Sequence, residues 1–192
     1  MSVNSNDASG NSPAGADSYA VAVMLDSNRW TVRDLGAAAL GSFDRAVSLL
    51  RQMRAEQALF GMINVEDDFF ILLRPIPGGV RVVLSDATAA LTDDIAADAL
   101  EAADLDFPDL GDLDDDELDD LDSWPEGDLD MLADVGVSEE LLEAICEDEE
   151  LWASEQLHVI ASELGCEGQL ARVTGVDVDE VDFDYGSYSD DE

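Results

Sequence analysis

The fold is decided by residues 59–84, which read LFGMINVEDDFFILLRPIPGGVRVVL. Three runs rich in Leu, Ile, Val and Phe predict strands at 59–65, 69–74 and 80–84, because these residues favour strands. Turn-forming residues, Glu-Asp-Asp and Pro-Gly-Gly, separate the runs. Connections this short join antiparallel neighbours, since a parallel crossover needs about a dozen residues or more. The stretch therefore predicts a three-stranded antiparallel meander.

Upstream, residues 19–25 and 29–35 flank a turn signal and predict a hairpin. Ser42 is then predicted to cap a helix over 42–56. The inner face of that helix is marked by apolar residues at helical spacing: Phe43, Ala46, Val47, Leu50 and Met53. Thr92 is predicted to cap a second helix. These elements predict an α+β domain over 19–103, in which one small antiparallel sheet has helices on one face.

Residues 125–174 predict a small helical module of three helices. The pattern indicates a short helix that ends at Gly136, a second helix capped by Ser138, and a third that begins near Trp152 and ends at Gly165. About forty residues are too few to be stable alone. We therefore expect this module to pack against another part of the molecule.

Both ends of the chain are predicted to be disordered. Residues 1–18 are mainly Ser, Asn, Gly, Ala and Asp, which cannot build a core. Residues 175–192 are acidic, and five apolar residues alternate with the acids: Val176, Val178, Val181, Phe183 and Tyr185. This tail is interpreted either as solubilising or as a segment able to add a strand to a partner's sheet edge.

Charge divides the chain into two unequal halves. The formal net charge is −39, from 47 acidic residues and eight Arg, without Lys. Residues 1–91 contain ten acids and seven Arg, whereas residues 92–192 contain 37 acids and Arg172 as the single basic residue. So strong a negative field repels phosphates, which argues against nucleic acid and anionic membrane and favours a basic partner. Adaptation to high salt is an alternative cause, although the nearly neutral first half argues against it.

The acid is densest in residues 104–130, where fourteen acidic residues occur without a basic one. We predict that 104–124 is disordered in the isolated chain, because such a segment repels itself and holds water. On a helix, five apolar residues would share one broad face: Leu110, Leu113, Leu118, Leu121 and Trp124. These five are the candidate partner-binding residues of an acidic helix that folds on a basic, grooved partner. A solvated linker is the alternative.

The sequence does not predict an enzyme. His158 is the single histidine and lies within a predicted helix. Cys146 and Cys166 lack the paired spacing that zinc sites use. The Asp run at 112–116 lacks the glycine of a calcium-binding loop, and a phosphate-binding loop of the Gly-Lys type needs a Lys. We therefore predict no catalytic activity, no metal and no cofactor.

The N-terminal residues do not have the basic and then apolar pattern of a signal peptide. No apolar run approaches the roughly 18 residues that span a bilayer. We therefore expect a cytoplasmic protein with reduced thiols.

Several stretches, taken together, resemble a known family. They are Tyr19-Ala-Val-Ala-Val with Trp30, Phe69-Phe70, Val83-Leu-Ser-Asp-Ala87, the run from Pro125 to Gly136, Glu140-Leu-Leu-Glu-Ala-Ile-Cys146, Glu155-Gln-Leu and Glu163-Leu-Gly165. Over roughly residues 19–174 the chain resembles the actinobacterial tRNA adenosine deaminase-associated proteins. The resemblance implies association with that deaminase. It does not imply deaminase activity, because the chain lacks the His-x-Glu and Pro-Cys-x-x-Cys motifs that hold zinc in such enzymes.

Two hypotheses of function follow. In the first, the chain is a non-catalytic acidic protein whose segment 104–130 binds the basic tRNA-binding face of a tRNA adenosine deaminase. In the second, the acidic segment is a solubilising linker or an intramolecular cover that docks on Arg45, Arg51 and Arg54. The α+β domain would then be the functional part and would bind a small molecule or another protein.

Overall fold

The computed structural model describes residues 18–108 and 121–176. Three of the predicted partner-binding residues, Leu110, Leu113 and Leu118, lie outside the described residues. So do the predicted N-terminal arm apart from Ser18 and the tail from residue 177 onward.

The described residues form one antiparallel sheet. Its six strands are β1 (Ser18–Asp26), β2 (Arg29–Asp34), β3 (Ala58–Val65), β4 (Phe69–Ile76), β5 (Gly79–Leu84) and β6 (Glu126–Gly127). Their order is β2-β1-β3-β4-β5-β6, and each neighbouring pair is antiparallel. The predicted hairpin, meander and α+β class are confirmed. Strand β4 continues two residues beyond its predicted end, through Pro75.

Six α-helices lie in the described ranges: α1 (Ala37–Leu40), α2 (Phe43–Gln52), α3 (Asp94–Ala102), α4 (Glu139–Cys146), α5 (Ala153–Leu164) and α6 (Glu167–Thr174). Short 3-10 helices cover Ala87–Leu91 and Ala133–Val135. The second of these replaces the α-helix predicted before Gly136, and α6 was not predicted.

Side-chain oxygens cap the N-termini of several of these helices. Ser42 and Ser138 cap α2 and α4 as predicted, because each hydroxyl accepts a hydrogen bond from a backbone N–H three residues later. The predicted cap Thr92 was wrong. Asp93 caps α3, and its carboxylate accepts from the N–H of Ile95 at 2.9 Å.

The sheet is apolar on both faces, and a helical layer covers each one. Alternate residues of a strand point to opposite faces. One face packs against α1, α2 and α3 through side chains that include Ala22, Ile63, Ile71, Leu73, Phe43 and Leu50. The other face packs against α4, α5 and α6 through side chains that include Val23, Phe60, Phe70, Leu72, Leu157 and Ile160. The helical module therefore packs on the sheet face opposite the first helices. The predicted division of the chain into domains at 19–103 and 125–174 remains a proposal.

Gly127 offers a test of how tightly β6 is joined to β5. Its φ is +122°, and a Cβ there would overlap the carbonyl oxygen of Val82 and lie 2.9 Å from the Val82 carbonyl carbon. We expect Gly127→Ala to lower the free energy of unfolding by roughly 2–4 kcal/mol, from backbone strain and overpacking together. Urea unfolding measures this change.

The matched control is Gly168→Ala, on the exposed side of α6, where a Cβ meets no atom within 4 Å. Alanine favours helix over glycine by about 1 kcal/mol, so this variant should be as stable as the original chain or more stable. Equal stability of Gly127→Ala and the original chain would contradict the close β5–β6 contact.

Candidate partner-binding surface

Two arginines hold the C-terminal end of the acidic stretch 104–130, and the residues just after it, to the sheet. Arg81 on β5 pairs with Asp128 at 3.1 Å and also with Asp130. Arg74 on β4 donates to both carboxylate oxygens of Asp134 at 2.7 Å, and to the carbonyl oxygen of Met131 at 2.6 Å. A bidentate arginine–carboxylate hydrogen bond is among the stronger polar contacts at a protein surface. Residues 126–134 are therefore an ordered part of the fold.

The acidic stretch also enters the fold at its N-terminal end. Leu105 packs against the core between the sheet and α1–α3, and its N–H donates to the carbonyl of Leu100 at 2.9 Å. At the other end, the carbonyl of Trp124 accepts from the N–H of Ala87 at 2.8 Å. Ordered contacts therefore lie on both sides of residues 109–120.

Two of the predicted partner-binding residues can be placed. Leu121 and Trp124 are both half-buried, and Trp124 lies two residues before the start of the short strand β6, which pairs with β5. The face that would combine them with Leu110, Leu113 and Leu118 includes residues outside the described ranges, so this assignment stays a prediction.

Next to Trp124, an acidic groove opens at one end of the sheet. It has a volume of about 280 Å³. The residues that line it come from the β3–β4 turn, the end of β5, the α4–α5 loop and the segment before β6. Five carboxylates line it: Asp67, Asp68, Asp86, Asp148 and Glu149. The side chain of Trp152 also lines the groove, and 64% of this residue is exposed to solvent.

Asp67 joins the sheet to the second helical layer. It lies in the β3–β4 turn with a φ of +64°. Its carboxylate accepts from the N–H of Ser154 at 2.7 Å, and its carbonyl accepts from Ala153 at 3.3 Å. The first N–H groups of α5 lack partners within the helix, so Asp67 caps α5 from another part of the chain. Burial first, and then the charge of Asp67, raise the pKa of Tyr19 above its ordinary value.

Other hydrogen bonds fix the walls of the groove. The carboxylate of Asp86 accepts from the N–H and the hydroxyl of Thr88 at 2.8 and 2.6 Å. The buried amide of Gln156 donates to the carbonyls of Ile145 and Asp148 at 2.8 and 3.1 Å, which holds the α4–α5 loop. Hydrogen bonds thus fix the carboxylates of Asp67 and Asp86 and the loop that carries Asp148.

None of the five carboxylates forms an ion pair with an arginine of the described residues. The described arginines with ion pairs are Arg74 and Arg81, which hold residues 128–134. Uncompensated carboxylates around an exposed indole favour the approach of a cationic side chain, by charge and by contact with the ring.

The arginines predicted to hold the acidic segment have other surroundings. Arg51 donates to the carbonyl of Gly79 at 2.8 Å. Arg45 and Arg54 are exposed, and neither pairs with an acid of residues 18–108 or 121–176. The arginine contacts of the acidic stretch within those ranges are with Arg81, and those of the residues just after it are with Arg74.

The two thiols are poorly suited to chemistry. Both Cys146 and Cys166 are free and buried. Burial, with smaller effects of nearby glutamates, raises the pKa of each thiol to about 12. The thiols therefore stay protonated at neutral pH and are weak nucleophiles. Within the described residues, no group of three His, Cys, Asp or Glu side chains has a geometry that could hold a metal ion. None of the described helices is long and apolar enough to cross a membrane.

Sequence reasoning did not find the groove. Asp67 and Asp68 were interpreted as turn residues, and Trp152 as the start of a helix. The groove unites residues as far apart as Asp67 and Gln156. The hydrogen bond from Ser154 to Asp67, which joins these two parts of the chain, spans 87 positions. One available signal was the opening of α5 by a tryptophan, which has no oxygen to cap a helix and so indicates a cap from elsewhere.

Comparison with known proteins gives a clear relationship. The family model described as "Rv3753c-like tRNA adenosine deaminase-associated protein" matches residues 18–167. Protein Rv3753c of Mycobacterium tuberculosis (strain ATCC 25618 / H37Rv) is 42% identical to the chain over 159 residues, which are 82% of this chain and 87% of that protein. No solved structure gives a significant match. The family match includes all six strands, the groove and the acidic stretch.

The cap supplied by Asp67 can be tested against its neighbour Asp68. We expect Asp67→Ala to lower the free energy of unfolding by roughly 0.5–2 kcal/mol, because α5 loses its cap. Asp68→Ala, whose carboxylate accepts no hydrogen bond from the described residues, should change it by less than about 0.5 kcal/mol. Chemical denaturation compares the two variants. Equal losses would argue against the capping role.

The Arg74–Asp134 pair predicts a pH dependence of stability. The hydrogen bond from Arg74 is the main cause that lowers the pKa of Asp134. The stabilisation is therefore fully present above the ordinary carboxyl pKa and is lost as pH falls through the lowered pKa. Because 54% of the Asp134 side chain is exposed, we expect Asp134→Asn to cost only about 1 kcal/mol at pH 7.

Unfolding curves of the original chain and Asp134→Asn, measured from neutral to acidic pH, should converge below the lowered pKa. The control is Asp98→Asn on the exposed side of α3, whose carboxylate has no ion pair within the described residues. A difference between Asp134→Asn and the original chain that persists unchanged at acidic pH would show that the ion pair is not its source.

Proposed function

Because the chain belongs to the family of Rv3753c-like tRNA adenosine deaminase-associated proteins, we propose that it binds a tRNA adenosine deaminase as a non-catalytic, acidic partner in the cytoplasm. One observation supports this proposal most directly. The acidic groove of the described residues has no arginine paired to its five carboxylates, and it is lined in part by Ser123, which belongs to the acid-rich stretch 104–130.

The physical basis is competition for a basic face. An enzyme that holds tRNA needs Lys and Arg side chains for the phosphates. Closely spaced carboxylates can pair with the same Lys and Arg side chains and so compete with the phosphates of tRNA. Opposite charges across an interface speed association and select the partner, and salt weakens the attraction.

Apolar contacts would add affinity that charge alone does not supply. The proposed anchors are Leu110, Leu113, Leu118, Leu121 and Trp124. Trp152 extends this set to the groove, where its exposed ring would stack on an arginine side chain of the partner. Aromatic anchors surrounded by charge are typical of interface centres.

Two features support a non-catalytic role. The chain lacks the zinc-binding motifs of a deaminase, and both thiols are kept protonated by burial. The chain would therefore act on the deaminase through binding.

An alternative function keeps the acidic segment within the molecule. Asp128 and Asp130 already pair with Arg81, which favours intramolecular docking for the last residues of the acidic stretch. In that case the α+β domain would bind a ligand or another protein through a different surface. The titration below separates the two functions.

We expect calorimetric titration with the tRNA adenosine deaminase of the same organism to show binding that weakens as salt is raised from 50 to 300 mM. Two variants divide the contributions. One replaces the eight acids of residues 109–120 with amides and keeps the leucines; the other, Leu110→Ala with Leu113→Ala and Leu118→Ala, keeps the charge. Each should weaken binding by about tenfold or more, or about 1.4 kcal/mol. Deleting all of 104–130 would also remove β6, so substitutions are the sharper test.

Two controls accompany the titration. Asp98→Asn removes an exposed charge from α3, away from the groove, and should leave the affinity unchanged. An unrelated basic protein of similar net charge should bind more weakly than the deaminase. Absence of binding at 50 mM salt would overturn the proposal. If both segment variants bound as tightly as the original chain, the deaminase would have to contact a surface other than residues 109–120.

A further inference from the structure

Strand β2 is an open edge of the sheet. Its inner side pairs with β1, from Asp26 opposite Arg29 to Val21 opposite Asp34. On its outer side, no strand of residues 18–108 or 121–176 pairs with it. An unpaired edge presents backbone groups to which another strand can bond.

The hairpin geometry identifies those groups. The β1–β2 turn has two residues, Ser27 and Asn28, with φ of 50° and 61°. Such a turn is closed by a hydrogen-bonded pair, so alternate residues of β2 bond to β1 and the others face outward. The N–H of Leu35, which donates to the carbonyl of Ala20 at 2.8 Å, fits this alternation. The residues with outward N–H and C=O groups are Trp30, Val32 and Asp34.

The two faces of β2 differ in chemistry. On the α1–α3 side, Thr31 and Arg33 line an open pocket of about 360 Å³ together with Arg54. Arg29 lies on the same side as Arg33. Arg29, Arg33 and Arg54 are exposed, and none pairs with an acid of the described residues. On the α4–α6 side, Trp30 packs against the apolar core. The edge is thus cationic on one face and apolar on the other.

Helix α6 ends beside one end of this edge. Val173 and Thr174 line a pocket of about 250 Å³ with Asp34, the last residue of β2. Gly175, with φ of +74°, ends α6, and Val176 packs against the apolar core. The chain therefore leaves the described structure near the Asp34 end of β2, with sixteen residues remaining.

Those residues read DVDEVDFDYGSYSDDE and contain eight acids and no basic residue. From residue 181 to 185, Val, Phe and Tyr alternate with two Asp. The six residues of β2 span about 20 Å at roughly 3.4 Å per residue. Residues 177–180 are long enough to connect α6 to the edge, and a strand that runs back along β2 is antiparallel to it.

We propose that residues 181–185 add to the outer edge of β2 as an antiparallel strand. In the register that places Asp182 opposite Arg33, Val181, Phe183 and Tyr185 lie on the same face of the sheet as Trp30. Asp182 and Asp184 lie on the other face, where they meet Arg29 and Arg33. Opposite charges and apolar pairs across neighbouring strands both stabilise a sheet. The tail then closes the edge against pairing with other chains.

The test is amide hydrogen exchange, measured by NMR on the full chain and on a chain that ends at Val176. We expect the N–H groups of Trp30, Val32 and Asp34 to exchange at least tenfold more slowly in the full chain. The inward N–H groups of Thr31 and Arg33 should exchange equally in both chains. Removal of residues 1–17, the other terminus near this end of the sheet, should have no effect.

Charge variants locate the contact. Asp182→Asn with Asp184→Asn should lose most of the added protection, whereas Asp190→Asn with Asp191→Asn keeps the same net charge and should retain it. Arg33→Asp should also lose protection, and Asp182→Arg with Asp184→Arg should restore it in that background.

Three outcomes would overturn the proposal. Equal exchange in the full and shortened chains would mean that the edge is open. Protection that survives in the shortened chain and rises with protein concentration would assign the edge to a second copy. Protection lost on removal of residues 1–17 would assign it to the N-terminal arm.

Discussion

Burial of both faces of the sheet is the constraint on which the rest of the structure depends. Strands β1, β3 and β4 are almost continuously apolar, so either face would be costly to leave in water. The first helices, α1 to α3, cover one face. The second face is covered only because the chain returns, after the acidic stretch, as α4 to α6. The acidic stretch is therefore the connection between two layers of one core.

This arrangement also explains where the few arginines are used. A chain with a net charge of −39 has little positive charge with which to hold its acidic parts. Arg74 and Arg81 lie opposite each other on the neighbouring strands β4 and β5. They form ion pairs with residues 128–134, where the chain returns to the sheet. The other acids of the described residues, including those of the groove, form no ion pair with an arginine of those residues. The fold thus uses two of its arginines to fix the point at which the chain re-enters the sheet.

Local signals in the sequence were sufficient for much of the fold. The strands and hairpins were predicted because turn residues punctuate the apolar runs, and Ser42 and Ser138 were identified because cap chemistry is local. Thr92 failed because the adjacent Asp93 is an equally good cap. Helix α6 was missed because Gly168 lowers its helix propensity and its stability comes from packing on β2. The groove depends on contacts such as Asp67 with α5, which no local pattern contains.

The two buried thiols have a consequence for how motion of the second helical layer can be observed. Cys146 is one of the residues that line the acidic groove and is only 7% exposed, and Cys166 at the start of α6 is fully buried. A protonated, enclosed thiol reacts with a soluble alkylating reagent only when its surroundings open. The rate of alkylation at each cysteine therefore reports how often its surroundings open. Cys146 reports on the wall of the groove and Cys166 on the junction of α5 and α6, without any introduced probe.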